Sequence, residues 1–261
     1  MVLLDVLVKR PDLSLVVAHF DHGIRDESDK DRKLVQEIAK KHGLQFVYDE
    51  GELCSDASES EARNARYEFL HKVRSNSGAR AVVTAHHQDD LLETVIMNLI
   101  RGTGRSGLSP LFTTDNVQRP LLGFTKEQIT EYANQNNLIW HEDSTNSDTK
   151  YLRNYIRHEI IPKLITPQKQ QLLNHINNAK PINEDINNII TGMLHVQPSL
   201  NTVDRHWFIM LPHTIASEVM KTWLEKHKVK DVNRKQIQRL VIVAKISPPN
   251  RIADIDKKFV L

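Results

Sequence analysis

The segment Thr84-Ala85-His86-His87-Gln88-Asp89-Asp90-Leu91-Leu92-Glu93-Thr94, running on to Arg101-Gly102-Thr103-Gly104, holds the densest set of chemically capable side chains in the sequence. The β-branched run Ala81-Val82-Val83-Thr84 before it suits a buried parallel strand. In open α/β sheets, ligands occupy the crevice beyond the carboxyl ends of the strands. His86, Asp89, Asp90 and Glu93 would therefore be offered to a ligand or its metal. On the helix that follows, Asp90 and Glu93 stand at i and i+3, and Asp89 and Glu93 at i and i+4, so the carboxylates share a side. Leu92, Val95, Ile96 and Leu99 cover much of the other surface and suit burial. Clustered carboxylates repel one another unless a cation lies nearby, which favours a Mg²⁺ or amine role. A plainer reading stays open beside it: acidic residues in a first helical turn stabilise the helix dipole by roughly 0.3–1 kcal/mol each without any chemistry.

The elements that must position these residues alternate in kind. Leu13 to Phe20 is a strand, Ser28 to His42 a helix that stops at Gly43, and Gln45 to Tyr48 a second strand. Ser58 to Val73 reads as a helix with Ser58 as N-cap and Glu61 completing a capping box. The strand at 81–84 and the helix at 88–101 follow, and alternation of this kind means a parallel sheet with helical crossovers. Met1 to Leu7 resembles the interior of an amphipathic helix ending at Lys9-Arg10-Pro11. Further helices are expected at 126–136 and 151–161. The stretch 166–199 is expected to be a solvated helical connector broken at Pro181. Residues 200–261 are expected to form a smaller, mainly helical α+β domain, with a strand at Trp207-Phe208-Ile209-Met210, helices at 213–227 and 233–244, and a terminal strand.

Composition narrows the classes. With 39% hydrophobic and 26% charged residues the chain reads as globular, and 261 residues allow one large or two small domains. A net charge of +2 is too small to argue nucleic-acid binding on its own, so any such surface is a local patch. The single cysteine, Cys54, rules out an internal disulfide, a CxxC pair and a cluster held by several cysteines, and it fits a cytoplasmic setting. No segment reaches the ~18–20 apolar residues of a membrane-spanning helix, so no membrane association is expected.

Several segments in order resemble one family. They are His19-Phe20-Asp21-His22-Gly23-Ile24-Arg25, Glu61-Ala62-Arg63-Asn64-Ala65-Arg66-Tyr67, the His86–Thr94 segment with Arg101-Gly102, and Arg119-Pro120-Leu121-Leu122. The last is followed by Trp140-His141-Glu142-Asp143-Ser144-Thr145-Asn146 and Tyr151-Leu152-Arg153-Asn154-Tyr155-Ile156-Arg157. Together they are similar to the bacterial tRNA(Ile)-lysidine synthases, members of the PP-loop ATP pyrophosphatase group. The resemblance covers residues 1–165 well and 200–261 more loosely. It implies a Rossmann-like parallel sheet of the adenine nucleotide alpha hydrolase type over 1–165, the connector over 166–199, and a small substrate- or tRNA-binding domain over 200–261. It implies ATP and Mg²⁺ as cofactors, and L-lysine and a tRNA(Ile) with a CAU anticodon as partners. A homodimer is among the arrangements left open.

Carried over by resemblance, the catalytic set is Arg63, Arg66, His86, Asp89, Asp90 and Glu93, with Asp90 and Glu93 also set against Mg²⁺. His19 and Arg101 are assigned to the nucleotide, and Lys150, Arg153, Asn154 and Arg157 to tRNA. Arg63 and Arg66 could instead form surface pairs with Glu59 and Glu61, worth roughly 0–1 kcal/mol each, a reading that carries less weight than the functional one. The Lys150, Arg153 and Arg157 stripe could be a merely solvated helix face, Asp143 and Asn146 could only cap a turn, and His19 and His22 could be structural. One departure stands out. The family's Ser-Gly-Gly-x-Asp-Ser loop, which cradles pyrophosphate on backbone N–H groups, occurs nowhere in these 261 residues, nor does the strand that carries it. The chain is therefore expected to be cut at both ends relative to the family and to be weak or inactive in this form. A non-catalytic tRNA-binding fragment and a PP-loop tRNA thiolase are the alternatives.

Overall fold

The computed structural model describes residues 1–23, 28–51, 59–114, 116–141, 151–195, 202–227, 229 and 232–248. These residues fall into two compact units, Met1–Thr94 with Leu111–Leu164, and Val95–Pro110 with Ile165–Leu261.

In the first unit the order is α1 (Val2–Val8), β1 (Val16–Asp21), α2 (Ser28–Lys41), β2 (Gln45–Glu50), α3 (Glu59–Ser77), β3 (Val82–Val83), then α4 (Gln88–Ile100), whose last turns belong to the second unit. β4 (Val117–Gln118), α5 (Lys126–Gln135) and α6 (Leu152–Tyr155) complete it, with a π-helical turn at Ile156–Ile160 and a 3₁₀ turn at Ile161–Lys163 continuing α6. The local signals act as read. Gly43 takes φ 66°, which ends α2 at little steric cost and lets Leu44 N–H reach the Ala39 carbonyl at 2.9 Å. Thr125 and Gln128 close a reciprocal capping box that starts α5.

The strands run parallel, as the alternation requires. β1 pairs with β2 from Val16↔Gln45 to Asp21↔Glu50, and β3 pairs with β4 at Val82↔Val117 and Val83↔Gln118. Among the described residues these are two separate two-stranded ladders rather than one sheet. β1 and β3 both line an apolar cavity of about 250 Å³, closed by Leu4 and Leu7 of α1 and Leu70 and Val73 of α3. Leu91, Leu92 and Val95 on one side of α4 are buried, along with Phe69 and Leu111.

The second unit departs from the sequence reading in two places. Residues 207–210, expected as a strand, lie in α8 (Arg205–Met210), because the Asp204 carboxylate accepts from Trp207 N–H at 2.7 Å and caps a helix start. Pro181 does not break the connector: α7 runs from Thr166 to His195 with the proline inside it. Its missing N–H forfeits one helical hydrogen bond, and burial of Ile176, Ile190 and Leu194 along one side offsets the loss. Ile190 and Leu194 share a core with Phe208 and with α9 (His213–Lys226) and α10 (Arg234–Ile246), where Val219, Leu224 and Leu240 are fully buried. Connector and small domain thus form one packed body. The expected terminal strand, and Ser58 of the expected cap, lie outside the described residues.

Leu224→Ala should cost roughly 2–5 kcal/mol through the cavity it leaves, measured by urea unfolding. Amide exchange of the β1–β2 ladder should be unchanged; a uniform loss of protection would contradict a core confined to the second unit.

Candidate active site

The first unit gathers the predicted residues at the carboxyl end of β3. Thr84 and Ala85 leave the strand, and the Thr84 hydroxyl bonds His86 Nδ1 at 2.8 Å. Gln88 N–H donates to the Phe124 carbonyl at 2.9 Å, fixing the start of α4 against the α5 entry loop. Asp90 Oδ2 accepts from His87 N–H at 3.0 Å and lies 3.4 Å from His87 Nε2. Asp89 Oδ2 accepts from the first N–H of α5, that of Lys126, at 2.7 Å. Both aspartates therefore accept hydrogen bonds at helix starts, Asp90 at that of α4 and Asp89 at that of α5.

His86 is largely withdrawn from water, and that desolvation lowers its pKa to about 4. Asp90 opposes the shift, while Arg119, Arg63 and Arg66 reinforce it. Three arginines thus act on one imidazole that is uncharged at neutral pH. Arg119 was quoted in the sequence but given no role. It is buried, donates to the Phe112 carbonyl at 2.9 Å and to the Tyr67 hydroxyl at 3.2 Å. The Arg63 guanidinium lies 4.8 Å over the Tyr67 ring. Tyr67, one turn from Arg63 on α3, orients both arginines, and the i, i+4 spacing of an arginine and an aromatic was the signal that could have found it.

Glu93 takes a different part from the one expected. At 1% exposure it accepts from Arg157 Nε at 2.6 Å and Nη2 at 2.9 Å, with Arg153 Nε at 3.8 Å. Its bonds to Arg157 raise the arginine's pKa further. Asp90 Oδ1 also faces Arg157, at 3.7 Å. Among the described residues no three His, Cys, Asp or Glu side chains gather as metal ligands. Asp90 and Glu93 do not fit the expected Mg²⁺ pair, because their charge is answered by arginine. The residues expected to face tRNA are largely engaged within the unit. Arg153 donates to the Thr94 hydroxyl at 3.0 Å, Arg157 holds Glu93, and Asn154 is buried. The solvent-facing side carries Tyr151 and Tyr155 instead. Lys150 lies outside the described residues, as do Asp143 and Asn146.

His19 stacks on Tyr48 with ring centroids 6.1 Å apart, and burial lowers its pKa. Arg101 belongs to the second unit and lines a cavity there. Beside His87, a cavity of about 410 Å³ opens between Ala85, Lys126, Trp140, His141 and Arg157. Its volume suits a nucleotide-sized ligand, with Trp140 as an aromatic face and Lys126 as a cation at the rim.

These features, a parallel α/β unit with a polar crevice past a short strand, define a nucleotide-site domain of one class. The PP-loop domain family matches residues 1–164, and the chain belongs to it. Its curated relatives carry a more particular name. The tRNA(Ile)-lysidine synthase of Exiguobacterium sibiricum is 40% identical over 155 residues, 58% of this chain and 37% of the relative. That of Thermotoga maritima is 40% identical over 172 residues, 62% and 42% of the two chains. That of Thermosipho africanus is 37% identical over 191 residues, 68% and 45%. The chain thus spans less than half the length of these relatives. A solved structure, the U34-tRNA thiolase NcsA from Methanococcus maripaludis with its [4Fe-4S] cluster, superposes with a TM-score of 0.53 at 16% identity over 68% of this chain and 67% of that one, a likeness of fold.

Arg157→Met should destabilise the first unit by roughly 3–5 kcal/mol by leaving a buried carboxylate unpaired, and adding Glu93→Met should recover most of that; urea unfolding of both variants checks it. For His86 the sign follows from its lowered pKa. The unfolded chain, with an ordinary pKa near ~6.5, takes up the proton first, so stability is full above that value and declines as pH falls towards about 4. His86→Gln should remove roughly 1–3 kcal/mol of this acid-side loss, measured as unfolding free energies at neutral and mildly acidic pH.

Proposed function

We propose that this chain is the nucleotide-site portion of an enzyme that ligates lysine to the wobble cytidine of a tRNA(Ile) with a CAU anticodon. The observation that carries the reading is the convergence of Arg63, Arg66 and Arg119 on an uncharged His86, beside the cavity lined by Lys126 and Trp140. In this reaction the cytidine C2 oxygen attacks the α-phosphorus of ATP and pyrophosphate leaves. The lysine ε-amine, having lost its proton, then attacks C2, and the C2–oxygen bond breaks to release AMP. Arg63 and Arg66 supply positive charge against the phosphates. Asp89, which no arginine answers among the described residues, attracts the lysine ammonium. A group with a pKa near 4 is a poor proton acceptor at neutral pH, so His86 orients by hydrogen bonding and another group takes the amine's proton. No step is assigned to Mg²⁺ on Asp90 and Glu93, whose charge Arg157 already meets.

The named relatives and membership of the PP-loop family support ATP as the activating substrate. Thiolation is disfavoured by composition, because the single thiol of Cys54 cannot by itself ligate a cluster. Among the described residues no helix is long and apolar enough to cross a membrane.

The test supplies the chain with ATP, labelled lysine and a CAU-anticodon tRNA(Ile) transcript. AMP release and label transfer that need all three, slowed at least tenfold by Arg66→Ala, are expected. tRNA retention without AMP release would favour a binding fragment, and neither signal would overturn the proposal.

A further inference from the structure

Among the described residues, Arg119 is a buried cation with no anion paired to it. It is 8% exposed, and its guanidinium bonds only to the Phe112 carbonyl at 2.9 Å and the Tyr67 hydroxyl at 3.2 Å. Both partners are neutral oxygens, which satisfy N–H groups without meeting the charge. Its Nε is buried and has no hydrogen-bond partner. Arg157, in the same unit, shows the contrast, with two bonds to the Glu93 carboxylate. A guanidinium does not lose its proton in a protein, so Arg119 stays charged where it is. Such a charge costs stability until an anion reaches it.

The charge sits in the reacting crevice. Thr84 N–H donates to the Gln118 carbonyl at 3.0 Å, so β3 and β4 end side by side and Arg119 leaves β4 next to the turn that bears His86. Arg119 N–H donates to the Thr113 hydroxyl at 3.2 Å, and Pro120 restricts the backbone just past it. Of the three arginines that act on His86, Arg119 acts most strongly, and Asp90 acts on the same ring with the opposite sign. The crevice therefore offers both signs of charge around one imidazole, as a zwitterionic ligand requires. Two of the five guanidinium N–H donors are engaged. Those left over belong to a planar fork, the shape that meets a carboxylate with paired hydrogen bonds.

One charged group of the substrates has no partner in the reaction above. Arg63 and Arg66 face the phosphates and Asp89 the lysine ammonium, which leaves the lysine α-carboxylate. Its single negative charge matches the single positive charge left unanswered at Arg119. We infer that Arg119 recognises the α-carboxylate of the lysine substrate and so selects an amino acid over a plain amine at this site. The inference rests on the lysine-ligation reading and names a specificity residue within it. No protein carboxylate competes for the guanidinium, so the incoming one meets its full attraction in a water-poor setting.

Binding of L-lysine, of cadaverine (lysine without its carboxylate) and of ATP is measured by calorimetry on the full chain, on Arg119→Gln and on Arg119→Lys. The parent should bind lysine at least about tenfold more tightly than cadaverine. In Arg119→Gln lysine should weaken to the level of cadaverine, while cadaverine and ATP bind as they do to the parent. Arg119→Lys keeps the charge without the fork and should restore part of the preference. Thermal unfolding should show both variants folded, with Arg119→Gln no less stable than the parent, because an unpaired buried charge has been removed. Equal losses for lysine and cadaverine would make Arg119 structural and overturn the inference. Loss of ATP binding with lysine unchanged would give Arg119 to a phosphate and overturn it as well. A parent that binds lysine and cadaverine alike would overturn it and leave the ligation reading standing. A parent that binds no lysine would overturn the ligation reading and the inference with it.

Discussion

A carboxylate at 1% exposure must be answered by positive charge or give up its own, and much of the first unit is arranged around that demand at Glu93. Arg157 meets it with two hydrogen bonds, and Arg153 approaches from the same helical segment while bonding Thr94. These contacts pin the middle of α4 to residues far along the chain, and the start of α4 carries His86, His87, Asp89 and Asp90 into the crevice. The π-helical turn at Ile156–Ile160 belongs to the same solution. Within it Arg157 holds Glu93 while Ile156 and, just past it, Ile161 are buried. Such turns are frequent at functional sites.

Around His86 the balance has the opposite character. Withdrawal from water, helped by three arginines, keeps the ring uncharged, and Asp90 pulls the other way. Burial is the larger influence on the imidazole, and the arginines add to it. Tyr67 links them, under Arg63 and bonded to Arg119. Asp89 and Asp90 meanwhile hold helix starts, which fixes the crevice before any ligand arrives.

Local patterns were legible in the sequence where they were self-contained. The alternation of strands and helices, the stop at Gly43 and the helix from Gln88 follow from periodicity and turn chemistry, which neighbours a few residues away decide. What escaped was set at long range. Nothing around Glu93 says that Arg157, 64 positions on, will take its charge, so the carboxylate read as a metal ligand and the arginine as a phosphate contact. Pro181 read as a break because its cost is local, while the burial that offsets it comes from α9 and α10. Residues 207–210 have strand-like composition, and the Asp204 cap outvoted it. Asn183 and Glu218 gave no signal at all, since their purpose is to hold an arginine that lies 78 positions from the first and 113 from the second.

The central claim is that the start of α4 and the cavity beside it receive the nucleotide. Photolabelling with an azido-ATP, followed by peptide mapping, tests it directly. The account predicts adducts within residues 84–94 and 126–141, suppressed by unmodified ATP. Labelling confined to residues 98–106 and 213–238 would contradict it.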